Sequence, residues 1–150
     1  MSTFQINIDG NDAAFDCDQN DTLLRAALRA GVALPYECNS GGCGSCKFEL
    51  AAGDVYNQWE GAPALTPRDQ RKGKMLACQC RPAADCTMKI SLSAEDLPEF
   101  RPRRFVAKLA KVVALTDDMA EFQFTTTNPA EFQPGQYALF DVPNVTGSRG

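Results

Sequence analysis

The sequence predicts an α+β chain in which a mixed sheet is crossed by one helix and gives way to antiparallel strands. Three observations predict it. Short stretches alternating apolar and polar residues recur from Phe4 onward, the period of half-buried strands. One stretch, Leu23 to Ala30, instead places its apolar residues at helical spacing between two cap signals. Beyond Leu97–Arg104, a segment holding two prolines and three arginines, only strand and turn signals follow.

Taken in order, Phe4 to Ile8 alternates as a strand should, Asp9-Gly10-Asn11-Asp12 is a turn, and Ala13 to Cys17 returns as the second arm of a hairpin. Asp21 or Thr22 offers an N-cap to Leu23–Ala30, and Gly31 a C-terminal stop. Leu24, Ala27 and Leu28 form its apolar face, with Arg25 and Arg29 expected in water. Cys46 to Leu50 alternates again. Thr66-Pro67-Arg68-Asp69 reads as an N-cap, a proline in the first turn and an acid completing a capping box, for a short helix ending near Gly73. Extended structure is expected over Lys74–Cys80 and over Cys86–Leu92. One helix across a mixed sheet, with a second small helix, is a β-grasp arrangement, although composition alone does not select it over other α+β layouts. Phe105 to Val113, Glu121 to Thr125 and Gln136 to Val142 read as three further strands, separated by turns at Asn128-Pro129 and Pro134-Gly135. Three strands are too few to close a barrel.

Composition narrows the chemistry. The chain of 150 residues has no histidine, which excludes a Rieske centre, a Cys2His2 zinc finger and any histidine-based triad or general base. Its net charge of −4 is uneven: residues 1–100 carry 14 acidic and 9 basic side chains, and residues 101–150 carry 5 and 6. An acidic carrier steered to a basic partner fits this, as does an ordinary solvated surface. No basic stripe accompanies the aromatics, so no nucleic-acid partner is expected, and no apolar run is long enough for a membrane span. The N-terminus lacks a signal-peptide pattern. A cytoplasmic monomer is therefore expected, in which clustered cysteines mean metal and not disulfide.

The chemistry concentrates in Pro35-Tyr36-Glu37-Cys38-Asn39-Ser40-Gly41-Gly42-Cys43-Gly44-Ser45-Cys46. The spacing Cys-x4-Cys-x2-Cys, with a further cysteine some thirty residues on, is that by which plant-type ferredoxins hold a [2Fe–2S] cluster. Glycines let the loop take positive-φ conformations and bring backbone N–H groups to the sulfurs, where Ser40 and Ser45 add polarity. Zinc is the competing reading, but structural zinc sites favour paired Cys-x2-Cys knuckles and only one such pair exists here. For the fourth ligand, Cys78 and Cys80 lie two apart in a segment read as extended, so both point to the same side. Cys17 and Cys86 fall on apolar strand patterns and read as core residues. Tyr36 and Trp59 read as packing residues, and Glu37 and Asp85 as exposed acids available for docking.

With Met75-Leu76-Ala77-Cys78-Gln79-Cys80-Arg81-Pro82, the loop resembles the reductases of bacterial multicomponent oxygenases, above all those of toluene and related diiron monooxygenases. That resemblance implies a plant-type ferredoxin domain, an FAD-binding barrel and an NADH-binding domain, in that order. It selects Cys38, Cys43, Cys46 and Cys78 as the cluster ligands, because Pro82 lies four residues after Cys78; Cys80 is then a neighbour or a packing residue. Phe132-Gln133-Pro134-Gly135-Gln136-Tyr137 is similar to the strand–turn signature of the flavin barrel, and Ser148-Arg149-Gly150 to the start of its Arg-x-Tyr-Ser motif, which implies Arg149 on the FAD pyrophosphate. The expected domains are a ferredoxin domain at 1–97, a linker at 98–104 and the N-terminal strands of a flavin barrel at 105–150, the barrel being truncated. The implied function is electron transfer from NADH through FAD and the cluster to an oxygenase component or its Rieske ferredoxin. A stand-alone electron carrier, a dioxygenase reductase and a zinc-stabilised β-grasp adaptor are the alternatives. No nucleotide-binding fingerprint is present, so the chain alone is expected to carry electrons and not to oxidise NADH.

Overall fold

In the computed structural model, which describes residues 2–97, 99–129 and 131–142, the alternating N-terminal stretch is strand β1, Thr3–Ile8. Its inward residues Ile6 and Ile8 are buried. The Asp9–Asp12 turn returns the chain as β2, Ala14–Asp18, antiparallel to β1 with Ile6 opposite Phe15. Thr22 is the cap of α1, Leu23–Ala30, its side chain accepting from the Arg25 N–H. The helix ends where Gly31, at φ 81°, donates to Leu28 and Val32 donates to Ala27, a left-handed close that a side chain would strain. Leu23, Leu24, Ala26, Ala27 and Leu28 all face the core, and each leucine so buried stabilises the fold by roughly 1.5–3 kcal/mol.

Arg29 does not extend into water as expected. It pairs with Asp21, whose side chain is fully buried just ahead of the helix. A carboxylate taken out of water requires a cation, and the long arginine stem reaches back along the helix to supply it. Arg25 is likewise half-buried.

After the cysteine loop come β3 (Lys47–Ala52), β4 (Val55–Asn57), α2 (Pro67–Arg71), β5 (Lys74–Leu76), β6 (Cys80–Pro82) and β7 (Cys86–Lys89). The main sheet runs β2-β1-β7-β3-β5. The β1/β7 pair is parallel and the others antiparallel, so the sheet is mixed; β4 and β6 form a separate small ladder. The Thr66/Asp69 capping box of α2 is present in full. Phe48, Ile6, Leu34, Leu76 and Met88 fill the core beneath α1.

Three expectations are corrected. Lys74–Cys80 is not one extended run: β5 ends at Leu76, the Gln79 N–H turns back to the Leu76 carbonyl at 2.9 Å, and Cys80 begins β6. The strand beginning at Cys86 ends at Lys89, where its ladder stops, leaving Ile90 and Leu92 packed at the core edge without strand pairing. Gln136–Val142 has a single bridge residue, Phe140, and is otherwise not strand. A strand is defined by its neighbour, and alternation in sequence supplies none.

The chain divides into two compact units, Met1–Arg103 and Arg104–Gly150. The second contains a hairpin of β8 (Ala107–Ala114) and β9 (Ala120–Thr126), bulged between Leu109 and Lys111. Leu109, Val112, Phe122 and Phe124 are each more than 40% exposed, so among the described residues this sheet buries neither face. The Phe140 ring lies 5.3 Å from that of Phe124. Arg149 falls outside the described residues.

Candidate metal centre

The Cys38–Cys46 loop is shaped so that its N–H groups converge on sulfur. Ser40 and Cys43 N–H groups both donate to Cys38 Sγ at 3.4 Å, and Ser45 N–H donates to Cys43 Sγ at 3.5 Å. Asn39, at φ 49°, and Gly41, at φ 86°, make the turns that aim them. Gly41 also admits a close approach: a methyl there would lie 3.2 Å from the Trp59 ring and 3.4 Å from the Gln79 stem. Its N–H reaches Cys78.

Cys78 is brought in by backbone. The Ala77 N–H donates to the Cys46 carbonyl at 3.0 Å, and the Ala77 carbonyl accepts from Leu24 N–H, in the first turn of α1, at 3.1 Å. The turn that carries Cys78 is thereby pinned between the loop and the helix. Cys46 and Cys78 are hydrogen-bonded to each other, as are Cys38 and Cys43. Cys46 and Cys78 are each 2% exposed, whereas Cys43 is exposed and Cys38 half-buried. Among the described residues no three His, Cys, Asp or Glu side chains surround a point where one ion could sit. Cys38 interacts with Cys43 and Cys46 with Cys78, and the Cys38 charge also reaches Cys46.

The electrostatics follow the donors. Burial pushes Cys38 up, but hydrogen bonds from the Ser40 side chain and from Ser40 and Cys43 N–H groups outweigh it and bring the thiol down to about 6. The hydrogen bond from Cys78 lowers Cys46 to about 7 against its burial. Cys78, giving its hydrogen to Cys46 and buried beside it, is raised. Cys38 and Cys46, drawn toward the thiolate form and met by Cys43 and Cys78, make a ligand set for metal. Two pairs of sulfurs, lined by N–H donors, fit a two-iron cluster held by four cysteines.

The structure separates the two cysteines that the sequence left together. Cys78 faces Cys46, while Cys80 is wholly buried on β6 opposite Asn57, its thiol pushed up to about 12 by burial. Cys17 and Cys86 are core residues, raised by burial to about 12 and about 11. Tyr36 packs at the core edge, Trp59 lies against Gly41, and Glu37 is exposed. Asp85 is also exposed and accepts the Gln5 N–H at 2.8 Å, tying β1 to the turn before β7.

Sequence reasoning missed two neighbours of the loop. Gln79 Nε2 lies 3.7 Å from Cys78 Sγ; an amide side chain next to a candidate ligand was the available signal. Lys47 packs its ammonium over Gly44 and pairs with Asp69 at 2.9 Å. With the Thr66 hydroxyl, Lys47 holds the Asp69 carboxyl well below the usual carboxylate range.

Comparison with known proteins gives a consistent set of relatives. The family described as 2Fe-2S iron-sulfur cluster binding domain matches residues 6–83. The ferredoxin–NAD(P)(+) reductase CarAd of Metapseudomonas resinovorans is 40% identical over 145 residues, covering 96% of this chain and 44% of that protein. The ferredoxin–NAD(+) reductase component of the alkene monooxygenase system of Xanthobacter autotrophicus is 40% identical, covering 88% of this chain and 40% of that protein. A solved ferredoxin reductase in carbazole 1,9a-dioxygenase superposes with a TM-score of 0.90 at 38% identity, covering 97% of this chain and 45% of that one. The chain thus spans less than half the length of each of these relatives. With a match that takes in the whole cysteine loop, Cys78 and the helix and strands that flank them, the chain belongs to the family of 2Fe-2S iron-sulfur cluster binding domains.

Proposed function

We propose that this chain is the electron-transfer portion of the reductase component of a multicomponent oxygenase, with Cys38, Cys43, Cys46 and Cys78 as the ligands of its [2Fe–2S] cluster. The observation that carries the reading is the pairwise interaction of these sulfurs beneath converging N–H groups. A [2Fe–2S] centre, when bound, supplies the acceptance and release of single electrons. The chain's own residues do the rest. Ser40, Gly41, Cys43 and Ser45 N–H groups offset negative charge on the sulfurs. The α1 helix and Phe48 close the inner side against water, so that Cys46 and Cys78 are enclosed while Cys43 is open to solvent. That asymmetry gives electrons a short way out toward a partner.

In the longer protein, NADH and FAD would supply hydride and single-electron chemistry, and this chain's four cysteines would hold the cluster that stands between them and an oxygenase component or its Rieske ferredoxin. The domain assignment we propose is a ferredoxin domain of β-grasp type at 1–97, a connector at 98–104 and the first strands of an FAD-binding barrel at 105–150, with Arg149 as the residue for the FAD pyrophosphate. Support comes from the named relatives, which are reductase components and align along nearly the whole chain. A dioxygenase as the final partner is the second reading, favoured by the solved reductase in carbazole 1,9a-dioxygenase. No helix among the described residues is long and apolar enough to cross a membrane.

The test is anaerobic purification followed by iron and acid-labile sulfide analysis, with optical and spin-resonance spectra. Two irons and two sulfides per chain, with a paramagnetic signal on reduction, are expected. A colourless, folded, sulfide-free protein, or one holding a single zinc, would overturn the assignment. The 150-residue chain is expected to exchange electrons with an artificial reductant and not to reduce cytochrome with NADH.

A further inference from the structure

We propose that Gln79 is a positioning residue of this centre, a side-chain donor that raises its reduction potential and is held on Cys78 by the Gln58–Ala64 segment. The inference rests on the ligand set proposed above. Backbone N–H groups supply most of the hydrogen bonds to the four sulfurs and are fixed by the path of the chain. Gln79 is different, because its Nε2 amide reaches Cys78 Sγ at 3.7 Å through a side chain that substitution can alter without redirecting the loop.

Gln79 is held both at its backbone and at its side chain. The Gln79 carbonyl accepts from the Gln58 N–H at 2.9 Å and from Gln58 Nε2 at 3.5 Å. Its stem packs at Gly41 beside the ring of Trp59, both within 3.4 Å of the point a Gly41 Cβ would occupy. The Gly41 carbonyl in turn accepts from Ala64 N–H at 3.3 Å. One short segment therefore fixes both donors to Cys78, the Gly41 N–H and the Gln79 amide. Trp59, 45% exposed, forms the outer wall of this packing.

The energetic consequence has a definite sign. An added electron increases the negative charge on the sulfurs, and an N–H dipole aimed at sulfur stabilises that state more than the one before it. Cys78 is 2% exposed, so the dipole acts with little competition from water. Removing one such donor should weaken the one-electron affinity about three- to ten-fold, the net worth of a typical single hydrogen bond; tenfold is about 59 mV for one electron.

The experiment uses the purified, cluster-loaded chain and the variants Gln79→Met and Gln79→Glu, with iron and sulfide content measured alongside a spin-resonance redox titration. Gln79→Met keeps the stem and removes the donor, so its potential should fall by that factor. Gln79→Glu replaces the donor with a carboxylate and should fall further. Full clusters with potentials equal to that of the unaltered chain would overturn the role of Gln79 while leaving the cysteine assignment intact. Loss of the cluster from both variants would also overturn it, since Gln79 would then be needed for assembly and not for tuning. Failure of the unaltered chain to hold iron and sulfide would instead fall on the ligand set.

Discussion

The chain's cysteines divide into two groups that share a side chain and differ in everything around it. Cys38, Cys43, Cys46 and Cys78 meet N–H donors and one another, and the thiols of Cys38 and Cys46 are drawn down to about 6 and about 7. Cys17, Cys80 and Cys86 sit among apolar side chains, and burial raises them to about 12, 12 and 11. Donors favour the anion at Cys38 and Cys46, while Cys78 gives its own hydrogen to Cys46 and is raised; the three fillers are raised by burial, which the one backbone hydrogen bond from Leu76 to Cys80 does not offset. Cys78 and Cys46, each 2% exposed, are as enclosed as the filler group, so depth alone does not separate the two kinds. What separates them is that the four interact pairwise at one loop, Cys38 with Cys43 and Cys46 with Cys78.

The most severe test of this division exchanges serine for one member of each group. Cys78→Ser should abolish the cluster, read as loss of iron, sulfide and visible absorption, while Cys80→Ser should retain it. Loss in Cys80→Ser with retention in Cys78→Ser would reverse the assignment. Next in size is an alkaline effect confined to the buried group. Folded Cys17 keeps its proton to about pH 12, whereas the unfolded thiol releases it near 9.0. The stability it contributes is complete below pH 9 and is lost as the pH rises through the folded value, at about 1.4 kcal/mol per pH unit. Urea unfolding of Cys17→Ala should therefore show a flatter alkaline limb than the unaltered chain.

Smaller effects come from the support around the loop. Thr66→Ala removes the cap of α2 and should cost about 0.5–2 kcal/mol in denaturant unfolding, with the cluster spectrum unchanged. An altered spectrum would mean that α2 belongs to the centre itself. The smallest effect is at acid pH. The Asp69 carboxyl is held low by Lys47 and Thr66, so its contribution is present above about pH 4, the ordinary carboxylate value, and fades as the pH falls. Asp69→Asn should shallow the decline of the melting temperature below that pH.

Much of the first unit was legible because its signals are local. Thr22, Gly31 and the Thr66/Asp69 box act within one turn of the residues they cap, and each appears where the spacing placed it. The alternation of Thr3–Ile8 survives as a strand because its inward residues meet a core. Gln136–Val142 has comparable alternation and no ladder, because pairing is a property of two segments and only one was visible. Arg29 misled for a related reason: nothing in its own helix indicates a buried carboxylate ahead of the N-cap.

The sequence by itself determined the loop and its chemistry: three cysteines too close together to be scattered core residues, glycines where positive φ is needed, and no histidine to suggest another metal site. Only the tertiary structure decided which of Cys78 and Cys80 faces that loop, the order of strands in the sheet, and the placement of Gln79 against sulfur. Spacing and turn residues operate through a few bonds and can be read along the chain. The turn at Ala77–Gln79 is held by Cys46 and Leu24, residues distant in sequence, and contacts of that kind exist only once the chain has folded.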